Sequence, residues 1–220
     1  MRLVGWAFLV FALTLWVQAP AAFYLRPVSW PAGAQPQGIS GTLWNGRMAS
    51  LGVLDNVSWS IRPGAASVRA GLAQQDWQVT LTGWPWNWRA ELQPLAHGRP
   101  VQAAWQLDGD WQGRLQVQGH GLQCRSAQGQ LLGRDLGLLA PWVLPMGEGR
   151  VTLACVQATV QLAGVLERPQ QHTISFKADI ASRAAQVEGA LEPNATLLAP
   201  LVQGQWLRAG EQRFSREFKW

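Results

Sequence analysis

The chain has 220 residues and a mass of 24.2 kDa, enough for one domain or two small ones with a hydrophobic core. Hydrophobic residues make up 48% of it and charged residues only 14%, a composition that excludes a largely disordered protein. Basic residues outnumber acidic ones by 18 to 13, but the arginines are scattered singly. Nucleic-acid-binding proteins cluster their cations on one patch or helix, so we expect no nucleic acid partner.

The N-terminal segment is apolar, and it predicts that the rest of the chain leaves the cytosol. Residues 3–23 carry no charge, and a stretch of this length is about what a helix needs to cross a hydrocarbon core. The sequence therefore predicts a membrane anchor over residues 1–23. A cleaved signal peptide is the other interpretation, with Ala19-Pro20-Ala21 as its small-residue cleavage site. We favour the uncleaved anchor because apolar character continues to Phe23, and Arg2 favours a cytoplasmic N-terminus.

A linker is predicted over residues 24–40. Its second half, PAGAQPQG at residues 31–38, is rich in Pro and Gly, which is typical of an irregular spacer. The rest of the chain, residues 41–220, is predicted to be a β domain outside the cytosol.

Period-two alternation of apolar and polar residues recurs through this domain. It predicts an antiparallel sheet with one buried and one solvated face, and an all-β fold that is curved or sandwich-like. Asp108-Gly109 is interpreted as a hairpin turn, and a bulge or hairpin is expected near Gln157. Alternation is lost over residues 130–145, which are interpreted as a short helix or an apolar connector. Residues 197–202 are a second candidate for a short helix.

Tryptophan is unusually abundant, with 14 copies. Trp84, Trp86 and Trp88 alternate, so they share one face if a strand runs unbroken through Pro85. We interpret them as core residues, because indole side chains bury a large area. The alternative is an exposed indole row that stacks on sugars or lies against lipid.

The two cysteines, Cys124 and Cys155, both lie in strand-like sequence. In an oxidising compartment they are candidates for a disulfide, and the alternative is a pair of buried free thiols. The chain has no CxxC motif and no Cys/His cluster at metal-binding spacing, so no metal site is predicted. It also has no nucleophile elbow and no phosphate-binding loop, so no catalytic and no cofactor-binding residues are predicted.

A short motif follows the linker: Gly41, Thr42, Leu43, Trp44, Asn45 and Gly46. Glycine at both ends permits unusual backbone conformations, and Asn45-Gly46 matches a two-residue type I′ turn. The motif is therefore predicted to be a structural hairpin, with Leu43 and Trp44 packing on the first strands.

The stretch from Gly38 to Arg47, placed after a single apolar span and followed by VSWSIRP at residues 57–63, resembles the opening motif of the type II secretion system protein N family. The resemblance implies a single-pass protein of the bacterial inner membrane with a β domain in the periplasm. It implies an accessory subunit of the exporter that moves folded proteins out of Gram-negative cells. It implies no cofactor and no catalytic residue.

Two functions remain open at this point. In the first, the β domain binds other secretion components, either inner-membrane platform proteins or the outer-membrane secretin, through an added edge strand or a Trp/Arg surface. In the second, the apolar face of a curved sheet holds a lipid or glycolipid, and the positive charge favours anionic head groups.

Overall fold

The computed structural model describes residues 6, 11, 14, 18–25, 28–30, 35–72, 74–97, 106–140 and 143–219. Most of the predicted anchor, residues 1–23, lies outside these ranges. Within them, none of the helices combines the length and the apolar character that a membrane crossing requires. The anchor therefore stays a prediction.

The chain divides into two compact units, and the first comprises residues Met1–Leu72. Its strands form an antiparallel sheet in the order β1-β3-β4-β5, and β2 also pairs with β3. Its elements are α1 (Ala21–Leu25), β1 (Pro36–Gln37), β2 (Ser40–Gly41), β3 (Asn45–Leu51), β4 (Leu54–Arg62) and β5 (Ala65–Leu72).

The second unit, Ala73–Trp220, is an antiparallel sheet in which strand order follows chain order from β6 to β14. A short helix, α2, precedes the last strand. The elements are β6 (Gln75–Trp84), β7 (Asn87–His97), β8 (Gln106–His120), β9 (Gln123–Ala140), β10 (Leu144–Val156), β11 (Thr159–Arg168), β12 (His172–Asp179), β13 (Ala184–Leu191), α2 (Leu198–Gln203) and β14 (Arg213–Lys219).

The all-β antiparallel prediction is confirmed by this strand pairing. The described strands of the second unit contact mainly their sheet neighbours, so this unit is not a sandwich. Among the residues described, no second sheet packs face to face on this one. Most strand side chains are consequently half-buried, and few are fully buried.

The predicted domain limits differ from the units in two places. Strand β1 and part of β2 lie inside the stretch interpreted as a linker, residues 24–40, because Pro36 and Gln37 pair with Leu51 and Ser50. The predicted β domain, residues 41–220, is divided between the two units at Leu72. The domain limits themselves remain predictions.

Two local interpretations were wrong. Asp108-Gly109 is not a turn: both residues lie inside β8, and Gly109 takes a φ of +146° where the register with β9 shifts. The conformational freedom of this glycine serves a β-bulge. The described part of residues 130–145 is not a helix either, because residues 123–140 pair with β8 as a single long strand and β10 begins at Leu144. The short helix expected near residues 197–202 does form, as α2.

One cluster of fully buried apolar side chains in the second unit lies near its C-terminal end. Leu191, Ala195, Leu197 and Leu207 form this cluster, and side chains of α2 and β14 pack against it. Here α2 covers the last strands and contributes to the burial of these side chains.

Elsewhere, aromatic rings cover glycines on the neighbouring strand. In each case the glycine is buried and directly opposite the ring, and a Cβ added to it would clash with that ring. Such pairs shield the glycine backbone and fix the strand register. The four pairs are Trp59 over Gly46, Trp88 over Gly119, Phe176 over Gly164 and Phe214 over Gly189.

One buried side chain joins three strands of the second unit. Gln75, only 2% exposed, donates from Nε2 to the carbonyl oxygens of Leu95 (3.1 Å) and Trp111 (3.2 Å). Its Oε1 accepts a hydrogen bond from the Trp111 backbone N–H at 3.1 Å. This amide therefore connects β6 with β7 and β8 where the register of β6 on β7 shifts.

Gln75→Met should lower the free energy of unfolding by about 2–3 kcal/mol, because it leaves these backbone groups buried without a partner. Urea unfolding followed by far-UV circular dichroism measures the change. Gln130→Met, at an exposed strand position, is the matched control and should stay within about 0.5 kcal/mol of the wild type. Equal losses in the two variants would contradict the role of Gln75.

His172 is the buried titratable group of β12. Its Nε2 lies 3.0 Å from the Met146 carbonyl oxygen, and its Nδ1 is buried without a partner. Burial lowers the pKa of His172, the Met146 hydrogen bond partly offsets this, and the positive charge of Arg168 lowers the pKa further. The folded state therefore favours the neutral ring.

Stability should consequently fall as the pH drops below about 6.5, the pKa of histidine in an unfolded chain, and His172 should contribute no slope above that pH. The unfolded state binds the proton more readily in this window, so acid favours unfolding. Urea midpoints between pH 5 and pH 8 measure the effect. In His172→Gln the urea midpoint should depend less steeply on pH than in the wild type. An identical slope would contradict the assignment of this pH dependence to His172.

Candidate interaction surfaces

The motif residues Gly41–Gly46 form the β2–β3 hairpin of the first unit. Ser40 pairs with Arg47 and Gly41 with Gly46, so the turn is made by Leu43 and Trp44. The predicted Asn45-Gly46 turn is therefore wrong by two residues. Both Asn45 and Gly46 lie in β3, where the Trp59 ring covers Gly46.

Side chains close this turn. The Thr42 N–H donates to the Asn45 carbonyl oxygen at 2.9 Å, and the Asn45 N–H donates to Thr42 Oγ1 at 3.2 Å. Trp59 Nε1 donates to the Leu43 carbonyl oxygen at 2.9 Å. Since the backbone of the turn is bonded on both sides, the partly exposed side chains of Leu43 and Trp44 are held at its tip.

In the second unit, three hairpin ends meet. The Gly121 N–H of the β8–β9 turn donates to the Pro85 carbonyl oxygen of the β6–β7 turn at 2.7 Å. The Cys124 N–H donates to the Ala158 carbonyl oxygen of the β10–β11 turn at 2.8 Å. The Cα atoms of Cys124 and Cys155 are 5.7 Å apart, and the structure joins their sulfur atoms. Hydrogen bonds and the cysteine pair thus hold these ends together.

Large apolar side chains project from these ends and from the neighbouring β12–β13 turn. Trp84 and Trp86 are 53% and 61% exposed, and their rings stack with centroids 5.6 Å apart. Leu122 is fully exposed. We call this set the hairpin ledge; it consists of Trp84, Trp86, Leu122, Val156 and Ile180.

The structure overturns the core interpretation for two of the three alternating tryptophans. Strand β6 ends at Trp84, and Pro85 and Trp86 form the turn, so no strand runs through Pro85. Trp88 instead covers Gly119 and donates from Nε1 to the Gly121 carbonyl oxygen at 2.9 Å. A proline at this position has no N–H to give to a sheet, which is the signal that favours a turn.

The charges around the hairpin ledge are mainly basic. Arg125 and Arg183 are exposed on the turns or next to them. Asp179, the nearest carboxylate on β12, accepts hydrogen bonds from the N–H groups of Ala181 (2.9 Å) and Ser182 (3.1 Å). The Ser182 hydrogen bond is the main reason that the pKa of Asp179 is lowered. This carboxylate therefore stabilises its own turn.

The sheet of the second unit is amphipathic across many strands. Side chains that pair directly across strands share a face, and one face is apolar from β6 to β13. The opposite face carries Gln, Thr, Ser and charged residues. The apolar face includes Val79, Leu81, Leu92, Leu115, Val117, Val151, Leu153, Leu162, Ile174, Phe176 and Val187.

This geometry offers binding surfaces. Within the residues that the structure describes, no three His, Cys, Asp or Glu side chains converge as metal ligands would. Sequence reasoning kept an exposed indole row only as the alternative, and Pro85 between two tryptophans was the signal that could have favoured it.

The comparison with protein families decides the identity. The family model for the type II secretion system (T2SS), protein N, matches residues 32–219, which is most of the chain. The chain belongs to this family. The resemblance seen at Gly38–Arg47 is thereby confirmed over both units. The protein N family is a structural component of the secretion system and is not a known enzyme family. Membership in it places the chain in the cell envelope. The comparisons with curated proteins and with solved structures found no match.

Proposed function

We propose that this chain is a non-enzymatic accessory subunit of the type II secretion system. It is held in the inner membrane by residues 1–23, with both β units in the periplasm. There it contacts other secretion components, which are inner-membrane platform proteins or the outer-membrane secretin. Family membership supports the secretion role, and the apolar segment ahead of the matched region supports the anchor.

The hairpin ledge is the observation that carries the partner contact. Exposed Trp side chains with a neighbouring Arg are the residues most enriched in the energetically important parts of protein interfaces. The hydrogen bonds between hairpin ends hold this apolar set in place before binding, which lowers the entropic cost of association.

Edge-strand addition is the less favoured mode at β14. This edge strand carries Arg213, Arg216 and Lys219, and such charges discourage the pairing of further strands. Arg216 is also engaged, because its Nη2 donates to the carbonyl oxygen of Gln205 at 2.9 Å. We therefore assign the contact to the hairpin ledge.

Site-specific photo-cross-linking in intact cells tests the proposal. A benzoyl-phenylalanine in place of Trp86 should give adducts with other secretion components, whereas the same probe in place of Gln128, exposed on the polar face, should not. Trp86→Ala should reduce secretion without lowering the amount of folded protein. Adducts of equal yield and identity at both positions would overturn the ledge as the contact surface.

A lipid or glycolipid carrier is the second candidate, and the continuous apolar face of the second unit favours it. Val79 and Leu81 on that face remain exposed to solvent, so the sheet offers an uncovered apolar surface to an acyl chain. A probe in place of Leu81 tests it. Lipid adducts at Leu81, together with no protein adducts at Trp86, would favour the carrier over the subunit.

A further inference from the structure

The end of the first unit that carries the β2–β3 turn is joined to the end of the apolar N-terminal segment. Pro20 forms an antiparallel bridge with Thr42, one residue before the turn. The Pro20 carbonyl oxygen accepts a hydrogen bond from the Phe23 N–H at 2.9 Å, at the start of α1. A segment that spans a bilayer and ends near Pro20 must therefore bring this turn to the membrane surface.

The side chains at this end suit a bilayer interface. Trp44, 41% exposed, and Leu43 lie at the tip of the turn, and Phe23 is exposed on α1. Ile61 lies beside Trp44, because its N–H donates to the Trp44 carbonyl oxygen at 2.6 Å. Indole and neighbouring aliphatic side chains are the groups that proteins place at the level of lipid head groups.

The distribution of charge in the first unit also suits contact with an anionic membrane surface. The first unit has five arginines and a single acidic residue, which leaves 13 basic and 12 acidic residues in the second unit. Arg47 and Arg62 lie near the β2–β3 turn and are exposed. The acid, Asp55, pairs with Ser50 near the opposite end of β3 and β4, roughly 20 Å away along the strands.

We propose that this end of the first unit docks on an anionic lipid bilayer, with Leu43 and Trp44 at the head-group level and Arg47 and Arg62 facing lipid phosphates. The inference rests on the proposed anchor, since the anchor brings the turn to the surface. Docking fixes the orientation in which the chain leaves the membrane.

The test uses the full chain inserted into vesicles of phosphatidylethanolamine and phosphatidylglycerol, with a benzoyl-phenylalanine in place of Trp44. The matched control carries the probe in place of Val53, which is 79% exposed in the β3–β4 turn, at the other end of β3. Lipid adducts should be more abundant at position 44 than at position 53, on the order of ten-fold. Equal yields at the two positions would overturn the proposal.

Arginine variants and lipid composition test the charge. The double variant Arg47→Gln/Arg62→Gln should lower the adduct yield at position 44 on the order of ten-fold in these vesicles and leave it unchanged in vesicles of phosphatidylcholine alone. A yield insensitive to both changes would overturn the anionic contact.

Extraction of cell membranes with alkaline carbonate tests the anchor separately. A chain that carbonate releases, but that still gives lipid adducts at position 44, would contradict the anchor and support the docking surface. A chain that resists extraction without adducts at position 44 would contradict the docking surface alone.

Discussion

Replacing Cys124 and Cys155 together by alanine should lower the free energy of unfolding of the oxidised protein by about 3–4 kcal/mol. The two residues are 31 positions apart, and the unfolded chain regains the entropy of this loop when the link is lost. For a unit of this size the midpoint of thermal unfolding should fall by about 7–14 °C. Circular dichroism of protein purified from an oxidising compartment measures it.

Dithiothreitol supplies the control for this prediction. It should lower the unfolding temperature of the wild type to that of the double variant and leave the double variant unchanged. Titration of free thiols should find none in the oxidised wild type. A wild type with two free thiols, and with the same unfolding temperature as the variant, would show that the pair is not bonded.

The second large effect is expected for Gly46→Val. A Cβ at Gly46 would clash with the Trp59 indole and would lie 2.9 Å from the Ser40 carbonyl oxygen. Moving the indole also breaks its hydrogen bond to the Leu43 carbonyl oxygen. We expect a loss of about 3 kcal/mol in the free energy of unfolding, measured by urea denaturation with tryptophan fluorescence.

Gly137→Val is the matched control. Gly137 also lies in a strand with an ordinary φ, but among the described residues its added Cβ would meet only the Leu144 carbonyl oxygen at 3.6 Å. Valine suits strands, so this variant should be neutral or slightly stabilising. Equal destabilisation at both glycines would mean that the cost comes from the loss of glycine itself and not from the Trp59 contact.

The strands were predictable because alternation is a local signal. The alternation of Trp77, Val79 and Leu81 with polar residues predicts that they share one face of a strand, whichever strand pairs with it. They do lie on the apolar face. The predicted turn at Asp108-Gly109 was wrong because glycine is as well suited to a β-bulge as to a turn. Pairing with β9, which lies further along the chain, decided between the two uses.

The surfaces were less predictable. Trp84 and Trp86 are close together in the sequence, but their exposure depends on Pro85 lying in a turn. The carbonyl oxygen of Pro85 accepts a hydrogen bond from the N–H of Gly121, 36 residues later. From the sequence alone, Gln75 is likewise indistinguishable from the other polar residues of the strands. Its burial follows from the backbone of Leu95 and Trp111, which no local pattern reveals.

By itself, the sequence determined the antiparallel all-β class and the membership in the protein N family, because alternation and the Gly38–Arg47 motif are properties of short contiguous segments. Only the tertiary structure decided which ring covers which glycine, which hairpin ends form the ledge, and that Pro20 meets Thr42. These contacts depend on strand register and on bonds between residues that are distant in the chain, and register is set by the whole set of cross-strand pairs at once.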